Sequence, residues 1–282
     1  MVIASALGAG TVINAIATLK GSAFGINLRT RAEVEIAEKG VTCEVADDPS
    51  VDTSLIAECG RLVLQRFAPE IGVHIITRSE IPAASGLKSS SAAANATVLA
   101  LTKALDVAIE PLDTIKLGVE AARRAGVTIT GAFDDACASF FGGLVMTDNA
   151  HDLLLKRVEM QSDVIIHVPQ ERAYSAKADV ARARLLAPWV EMAFALADDG
   201  GYEKAMVLNG LLYCSAFGLS AEPLLRALEA GARAASLSGT GPAYIALVDR
   251  TSARQVKRAW QDFEGSIITT RVSNEGARVE TP

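Results

Sequence analysis

The chain has 282 residues, half of them hydrophobic and 21% charged, so it can bury a sizeable core and is not a disordered protein. Its formal net charge of -6 argues against a general nucleic-acid-binding protein, which usually needs a basic face. The four cysteines are scattered, with no Cys-x-x-Cys pair and no histidine cluster beside them. This pattern excludes a typical disulfide framework or zinc site.

The N-terminal stretch 1–18 is apolar, as a signal peptide is, but it lacks the cationic segment of one because the first lysine is Lys20. Asn14 also interrupts the stretch. The longest apolar predicted helix, 92–109, contains charged residues and is short for a membrane span. We therefore expect a cytoplasmic protein with neither a membrane nor a nucleic-acid partner.

Short β-branched and apolar runs predict strands, in chain order, at 32–36, 42–45, 73–77, 144–147, 164–167, 235–238, 243–249 and 267–270. Helical periodicity predicts helices at 52–65, 90–105, 112–124, 172–189, 193–200, 202–219, 222–230 and 253–264. Near the N-terminus, Gly8 and Gly10 favour a turn. Strands precede helices in each half, which predicts an α+β protein rather than a doubly wound parallel sheet. The predicted elements become mostly helical in the second half of the chain, and this change predicts two domains, 1–152 and 153–282.

A loop of small residues at 81–91 lies between a predicted strand and the long helix 90–105, and it reads Ile-Pro-Ala-Ala-Ser-Gly-Leu-Lys-Ser-Ser-Ser. The N-terminus of a helix has unpaired N–H groups and a positive partial charge, which suit a phosphate. Gly86 lets the backbone approach such a ligand closely. The same pattern also describes a serine-capped helix after an ordinary turn.

Several side chains of this loop carry chemistry of their own. The hydroxyls of Ser89 and Ser90 could bind phosphate oxygens or Mg²⁺, and Lys88 could add positive charge. The loop is not a Walker A motif, since no G-x-x-x-x-G-K-[ST] occurs in the chain. A second glycine-rich turn lies in the segment 237–243, Leu-Ser-Gly-Thr-Gly-Pro-Ala.

The ordered set of motifs resembles the GHMP kinase superfamily. The superfamily's phosphate-binding motif P-x-x-x-G-L-x-S-S-A/S is matched at every specified position by Pro82, Gly86, Leu87, Ser89, Ser90 and Ser91. The resemblance implies a two-domain fold, with an N-terminal domain like domain 2 of ribosomal protein S5 and a ferredoxin-like C-terminal domain. It also implies that ATP and Mg²⁺ are used. The implied ATP-binding residues are Pro82, Ala83, Ala84, Ser85, Gly86, Leu87, Lys88, Ser89, Ser90 and Ser91, with Ser238, Gly239, Thr240 and Gly241 as the glycine motif.

Within the superfamily, the N-terminal segment resembles the archaeal-type shikimate kinases. No Gly-Glu-His signature is present, whereas Ile13-Asn14-Ala15, Lys20-Gly21 and the segment 130–138 match that family. The resemblance implies transfer of the γ-phosphoryl group of ATP to the 3-hydroxyl of shikimate, a step of aromatic amino-acid biosynthesis. The alternatives are another small-molecule kinase, such as homoserine or mevalonate kinase, and a non-catalytic ligand sensor on the same fold.

The resemblance also assigns catalytic roles. Asp134 matches the aspartate that takes the proton of the acceptor hydroxyl, with Asp135 as the alternative; without the family, the two would be a helix-capping pair. Lys20 would pair with this aspartate, or else be a solvated loop lysine. Glu120 would bind Mg²⁺ with Ser89, or else be an exposed helix residue.

The substrate carboxylate calls for a basic partner, because a guanidinium group binds a carboxylate in bidentate geometry. Arg271, on the last predicted strand, is the residue that we predict to bind it. Arg29, Arg78 and Arg278 are the other conceivable partners. Asn14, in the N-terminal segment, is the second predicted substrate-binding residue.

Overall fold

The computed structural model describes residues 1–46, 48, 51–128, 130–170 and 179–280. Within these ranges the strands are β1 (Val2–Ile13), β2 (Lys20–Ala37), β3 (Val41–Val45), β4 (Gly72–Ser79), β5 (Leu144–Asp148), β6 (Leu153–Val158), β7 (Asp163–Val168), β8 (Ala234–Leu237), β9 (Tyr244–Val248), β10 (Ser266–Arg271) and β11 (Arg278–Glu280). The helices are α1 (Ser54–Phe67), α2 (Ser89–Ala104), α3 (Pro111–Arg124), α4 (Phe133–Phe141), α5 (Val180–Arg184), α6 (Ala187–Asp198), α7 (Tyr202–Phe217), α8 (Glu222–Glu229) and α9 (Ala253–Ala259), with a 3₁₀ turn at Trp260–Asp262.

The long strand β2 organises the first sheet. Its second half pairs with β4 and its first half with β5, while β1 pairs along nearly all of it. Among the described residues this sheet has seven strands, in the order β11-β1-β2-β4-β3, with β5 and β6 continuing from the first half of β2. Helix α2 packs on β1 and β2, and alanines recur among its buried residues, which lets helix and sheet approach closely.

The second sheet is antiparallel, in the order β10-β7-β9-β8. Helix α7 packs on β8, and α6 packs on α7. One apolar cluster continues from Val12 and Phe24 of the first sheet to Leu237 and Ile245 of the second. Each fully buried large side chain in it contributes about 1.5–3 kcal/mol of stability. The two sheets are therefore joined by core packing.

The predicted α+β class is confirmed, and every predicted strand overlaps an observed one. The turn predicted at Gly8 and Gly10 is wrong, because both residues lie inside β1. A side chain at Gly10 would come within 2.5 Å of Ile245 and 2.6 Å of the Phe24 ring, so this glycine serves the close packing between the sheets. Helix α4, strands β1, β6 and β11 and the first half of β2 were not predicted.

Part of the helix predicted at 172–189 lies outside the described residues. Over its remainder the structure has two helices, α5 and α6, with Pro188 in the first turn of α6. The predicted division at residues 152 and 153 stays a prediction, and β6, which follows it, pairs with β5 of the first sheet. None of the helices in the described ranges has both the length and the apolar character needed to cross a membrane.

Candidate active site

A cleft of about 900 Å³ brings the predicted motifs together. It is lined by the β4–α2 loop, the beginning of α4, the end of β1 and the turn between β8 and β9. All of the predicted ATP-binding residues line it except Leu87, which is buried in the apolar core. Gly239 and Thr240 of the predicted glycine motif line it as well.

The two glycine-rich segments are built into one structure. Gly86 has a φ of +84°, and a side chain there would collide with the carbonyl oxygen of Ser238. The Ser238 hydroxyl donates a hydrogen bond to the Gly86 carbonyl at 2.9 Å. The N–H of Ala243 donates to the Ser85 carbonyl at 3.1 Å. Glycine is therefore required at position 86 both for its backbone conformation and for the contact with the second turn.

The N-terminus of α2 points its amides into this cleft. Lys88 occupies the N-cap position with a φ of 67°, and no side chain caps the helix. The first N–H donated along the helix is that of Ala92, to the Lys88 carbonyl at 3.0 Å. The serine-capped helix is therefore the wrong interpretation, and the amides at 89–91 are available to an anion.

The carboxyl pair stands at the start of α4. Ala132 is the N-cap residue, with a φ of 50°, so Asp134 and Asp135 lie in the first helical turn and do not cap it. The Asn149 amide donates a hydrogen bond to Asp134 Oδ1 at 2.8 Å. The Thr147 hydroxyl donates to Asn149 Oδ1 at 2.7 Å, which fixes the orientation of that amide.

Asp134 is only 4% exposed, and its carboxyl group lies against the backbone of Gly21, where a side chain would collide with it. Burial raises the pKa of Asp134 to about 7, and the negative charge of Asp135 adds to this. The charge of Lys88 and the hydrogen bond from Asn149 act in the opposite direction. The group is therefore poised to exchange a proton near neutral pH.

This pKa has a consequence for stability. The pKa of Asp134 lies above the value of 3.8 of an exposed aspartate, so this carboxyl group ionises at lower pH in the unfolded chain than in the folded protein. The free energy of unfolding therefore falls as the pH rises from about 4 to about 7. Asp134→Asn is expected to raise the Tm relative to wild type at pH 8 by about 2–4 °C or more, and by less at pH 5. Thermal denaturation at both pH values without nucleotide tests this; a difference that does not grow with pH would contradict it.

The predicted cation, Lys20, is not paired with Asp134. Its side chain is exposed, and Nζ lies 5.7 Å from the centre of the Phe194 ring. The cation beside the carboxyl pair is instead Lys88, whose Nζ lies 3.1 Å from Asp135 Oδ1. The family resemblance implied the role of Lys20, but it is the backbone of the next residue, Gly21, that meets Asp134, and alternate residues of a strand point to opposite faces.

The structure does not bring Glu120 to Ser89. Glu120 does not line the cleft, its side chain is 47% exposed, and it forms an ion pair with Arg124 at 2.6 Å, one turn along α3. Arg271 ends the exposed strand β10 in the second sheet and is also outside the cleft lining. The family resemblance implied Glu120, and Arg271 was chosen as a basic residue on the last predicted strand, but neither lines the cleft.

The other arginines that were considered for the substrate carboxylate have structural partners. Arg29 donates to the carbonyl groups of Glu275 and Gly276 and so holds the C-terminal segment. Arg78 pairs with Glu33, and Arg278 with Glu275.

Asn14 lines the cleft, but its amide already has local partners. Its Nδ2 donates to the Gly239 carbonyl at 2.8 Å, and its Oδ1 accepts from the Ile16 N–H at 3.0 Å. The backbone N–H of Asn14 donates to Asn209 Oδ1, and the Tyr213 hydroxyl donates to the Asn14 carbonyl. Asn14 thus links the end of β1 to α7 and to residues 238–242 between β8 and β9, which we call the glycine turn.

Asn149, Thr147 and Thr11 were missed by the sequence reasoning. Asn149 and Thr147 hold Asp134, while the Thr11 hydroxyl accepts a hydrogen bond from the Gly239 N–H at 2.8 Å. None of them belongs to a motif. The position of Asn149 just beyond the predicted strand 144–147 was the available signal, because polar residues in connecting segments often carry function.

The sequence matches known families and proteins along most of its length. Residues 54–143 match the family model described as GHMP kinases N terminal domain, and residues 195–265 match that described as GHMP kinases C terminal. The chain is 54% identical to the shikimate kinase of Methanococcoides burtonii, over 97% of this chain and 96% of that protein. It is 55% identical to the shikimate kinase of Methanosarcina mazei, over 97% of this chain and 95% of that protein.

Solved structures agree on the fold. Homoserine kinase from Cytophaga hutchinsonii superposes with a TM-score of 0.74 at 19% identity, covering 99% of this chain and 97% of that chain. Mevalonate kinase from Methanococcus jannaschii superposes with a TM-score of 0.78 at 15% identity, covering 96% and 98%. The predicted two-domain GHMP kinase fold is thus confirmed, and the chain belongs to the GHMP kinase family, together with these shikimate kinases.

Proposed function

We propose that the chain transfers the γ-phosphoryl group of ATP to the 3-hydroxyl of shikimate, giving shikimate 3-phosphate and ADP. The observation that carries this proposal is the identity of 52–55% to proteins named shikimate kinase over almost the whole chain. The cleft supports it, because one site combines an anion-binding helix N-terminus with a buried carboxyl pair. The reaction would take place in the cytoplasm and serve aromatic amino-acid biosynthesis.

Membership of a kinase family implies ATP as the donor, and the loop fits it. The backbone at Gly86 leaves no room for a side chain, and the amides at 89–91 face the cleft. We place the phosphates there, with the residues 82–91 and the glycine motif around them. The apolar side of the cleft, formed by Val51, Leu55 and Ile56, suits the adenine ring.

The residues present fit Mg²⁺ through Ser89. Its hydroxyl stands at the first position of α2 and lines the cleft beside the proposed phosphates. Mg²⁺ takes few protein ligands when phosphate oxygens and water complete its shell, and it would neutralise phosphate charge. Among the described residues, no group of three acidic, histidine or cysteine side chains is arranged to hold a metal. Glu120 does not fit this site, because it pairs with Arg124 away from the cleft.

Asp134 is the base that we propose, with Asp135 as the residue beside it that pairs with Lys88. Phosphoryl transfer depends mainly on positioning and charge neutralisation, and the hydroxyl proton leaves late. Asn149 and the Gly21 backbone hold the Asp134 carboxyl group in one place, and its raised pKa suits acceptance of a proton. Asn14 stays a candidate for the acceptor, since an amide keeps a second hydrogen and a second lone pair.

The acceptor is tested by ADP release coupled to NADH oxidation, with shikimate, homoserine and mevalonate offered separately. We expect turnover on shikimate and at most traces on the others. A site whose polar groups bind several substrate hydroxyl groups rejects an acceptor that leaves those polar groups unpaired. Turnover of homoserine or mevalonate without turnover of shikimate would overturn the proposal. Binding of ATP and shikimate without ADP formation would favour the non-catalytic sensor.

A further inference from the structure

Lys88 lies where the β4–α2 loop, the carboxyl pair Asp134 and Asp135 and the glycine turn meet. Its Nζ lies 3.1 Å from Asp135 Oδ1, and the two side chains are only 9% and 15% exposed. Within the described ranges, no other lysine or arginine lines the cleft. Asp135 Oδ1 is buried and has no hydrogen-bond donor among the described residues, so the ion pair with Lys88 is its main polar contact there.

The backbone around Lys88 directs its side chain to this place. Lys88 has a left-handed backbone conformation, with a φ of 67°, and as the N-cap residue it connects the loop directly to α2. Gly239 stands opposite, and a side chain there would come within 2.7 Å of Lys88 Nζ. The glycine at 239 therefore leaves the space that the ammonium group uses.

The charges of the site require a cation at this position. Asp134 and Asp135 face the same cleft as the amides at 89–91, where the phosphates of ATP are placed. Like charges in one site of low dielectric constant repel strongly. The helix N-terminus supplies only about half a positive charge. A full positive charge between the carboxyl pair and the terminal phosphate would offset the repulsion.

We propose that Lys88, rather than Lys20, binds the γ-phosphoryl group of ATP and holds it beside the carboxyl pair during transfer. This inference rests on the proposed kinase function. Lys88 would then contact the γ-phosphoryl group that is transferred, whereas the amides at 89–91 would bind phosphates that ATP and ADP share.

Nucleotide binding tests the inference without any acceptor. Titration calorimetry compares Mg-AMP-PNP, which has a γ-phosphate, with Mg-ADP, which lacks one. For Lys88→Met and Lys88→Gln we expect the affinity for AMP-PNP to fall by about tenfold or more, the range of one charge-assisted hydrogen bond, with that for ADP nearly unchanged. Lys88→Arg should retain much of the discrimination. Lys103→Met, an exposed lysine of the same helix, is the matched control.

Steady-state kinetics gives the second measurement. We expect kcat of the neutral Lys88 variants to fall by about 100-fold or more, with the KM for shikimate changed little, as when one transition-state contact is removed. Equal weakening of AMP-PNP and ADP, or of neither, would overturn the inference, as would a loss of kcat in Lys20→Met alone. If wild type does not phosphorylate shikimate, the proposed function fails, but the nucleotide titration still decides the role of Lys88.

Discussion

Asp134→Asn is expected to lower kcat for shikimate phosphorylation by about 100- to 10,000-fold, the usual contribution of a general base, while the Kd for Mg-ATP changes little. Asparagine keeps the shape of the side chain and can still accept the hydrogen bond that Asn149 donates at 2.8 Å. It cannot accept the hydroxyl proton. The loss should therefore fall on the chemical step, which rapid-quench measurement of a single turnover separates from ADP release.

Two further variants show whether the effect belongs to Asp134. Asp113→Asn removes an exposed carboxylate from the first turn of α3 and should leave kcat near that of wild type. Asp135→Asn should be less damaging than Asp134→Asn, because Asp135 is held in an ion pair with Lys88. If Asp134→Asn turned over at nearly the normal rate and Asp135→Asn did not, the base would be Asp135.

Gly86→Ala is expected to weaken binding of Mg-ATP by about tenfold or more, equivalent to at least about 1.4 kcal/mol of binding free energy. The left-handed backbone at φ +84° costs a residue with a side chain roughly 1–2 kcal/mol. The added carbon would also press on the Ser238 carbonyl oxygen, so the loop must move away from the glycine turn. We therefore expect Gly86→Ala to lower both the affinity for Mg-ATP and the stability of the protein.

Gly200→Ala is the matched control. Gly200 has a similar φ of +90°, but no atom lies within 4 Å of the position of its missing side chain. It should lower the Tm by a few degrees, with an unchanged Kd for Mg-ATP. A Gly86→Ala variant that binds ATP as wild type does would show that contact between the two turns is not needed for the nucleotide site.

The nucleotide half of the site was predictable because local sequence builds it. Gly86, the serines that follow and the long helix are consecutive, and the unpaired amides of a helix N-terminus follow from hydrogen-bond geometry alone. Asp134 was found through the family pattern. Its environment was not, since Gly21 of β2, Thr147 of β5 and Asn149 after β5 reach it only through the pairing of those two strands.

The wrong or misplaced predictions share a physical cause. Gly8 and Gly10 favour a turn locally, but packing of β1 between α2 and the second sheet makes small residues necessary inside a strand. The family resemblance implied Lys20, and Arg271 was chosen as a basic partner for a carboxylate, but the direction of both side chains is set by strand register. Glu120 was implied by the family resemblance, and in the structure it pairs with Arg124 on the exposed side of α3.

The sequence by itself determined the α+β class, the phosphate loop and the kinase family, because these depend on periodicity and on contiguous motifs. Only the tertiary structure decided which charges meet. The ion pair of Lys88 with Asp135 joins residues 47 positions apart in the chain, and the glycine turn that makes room for Lys88 comes from the second sheet. Charge pairing acts through space over a few ångströms, and the order of residues along a chain does not specify those distances.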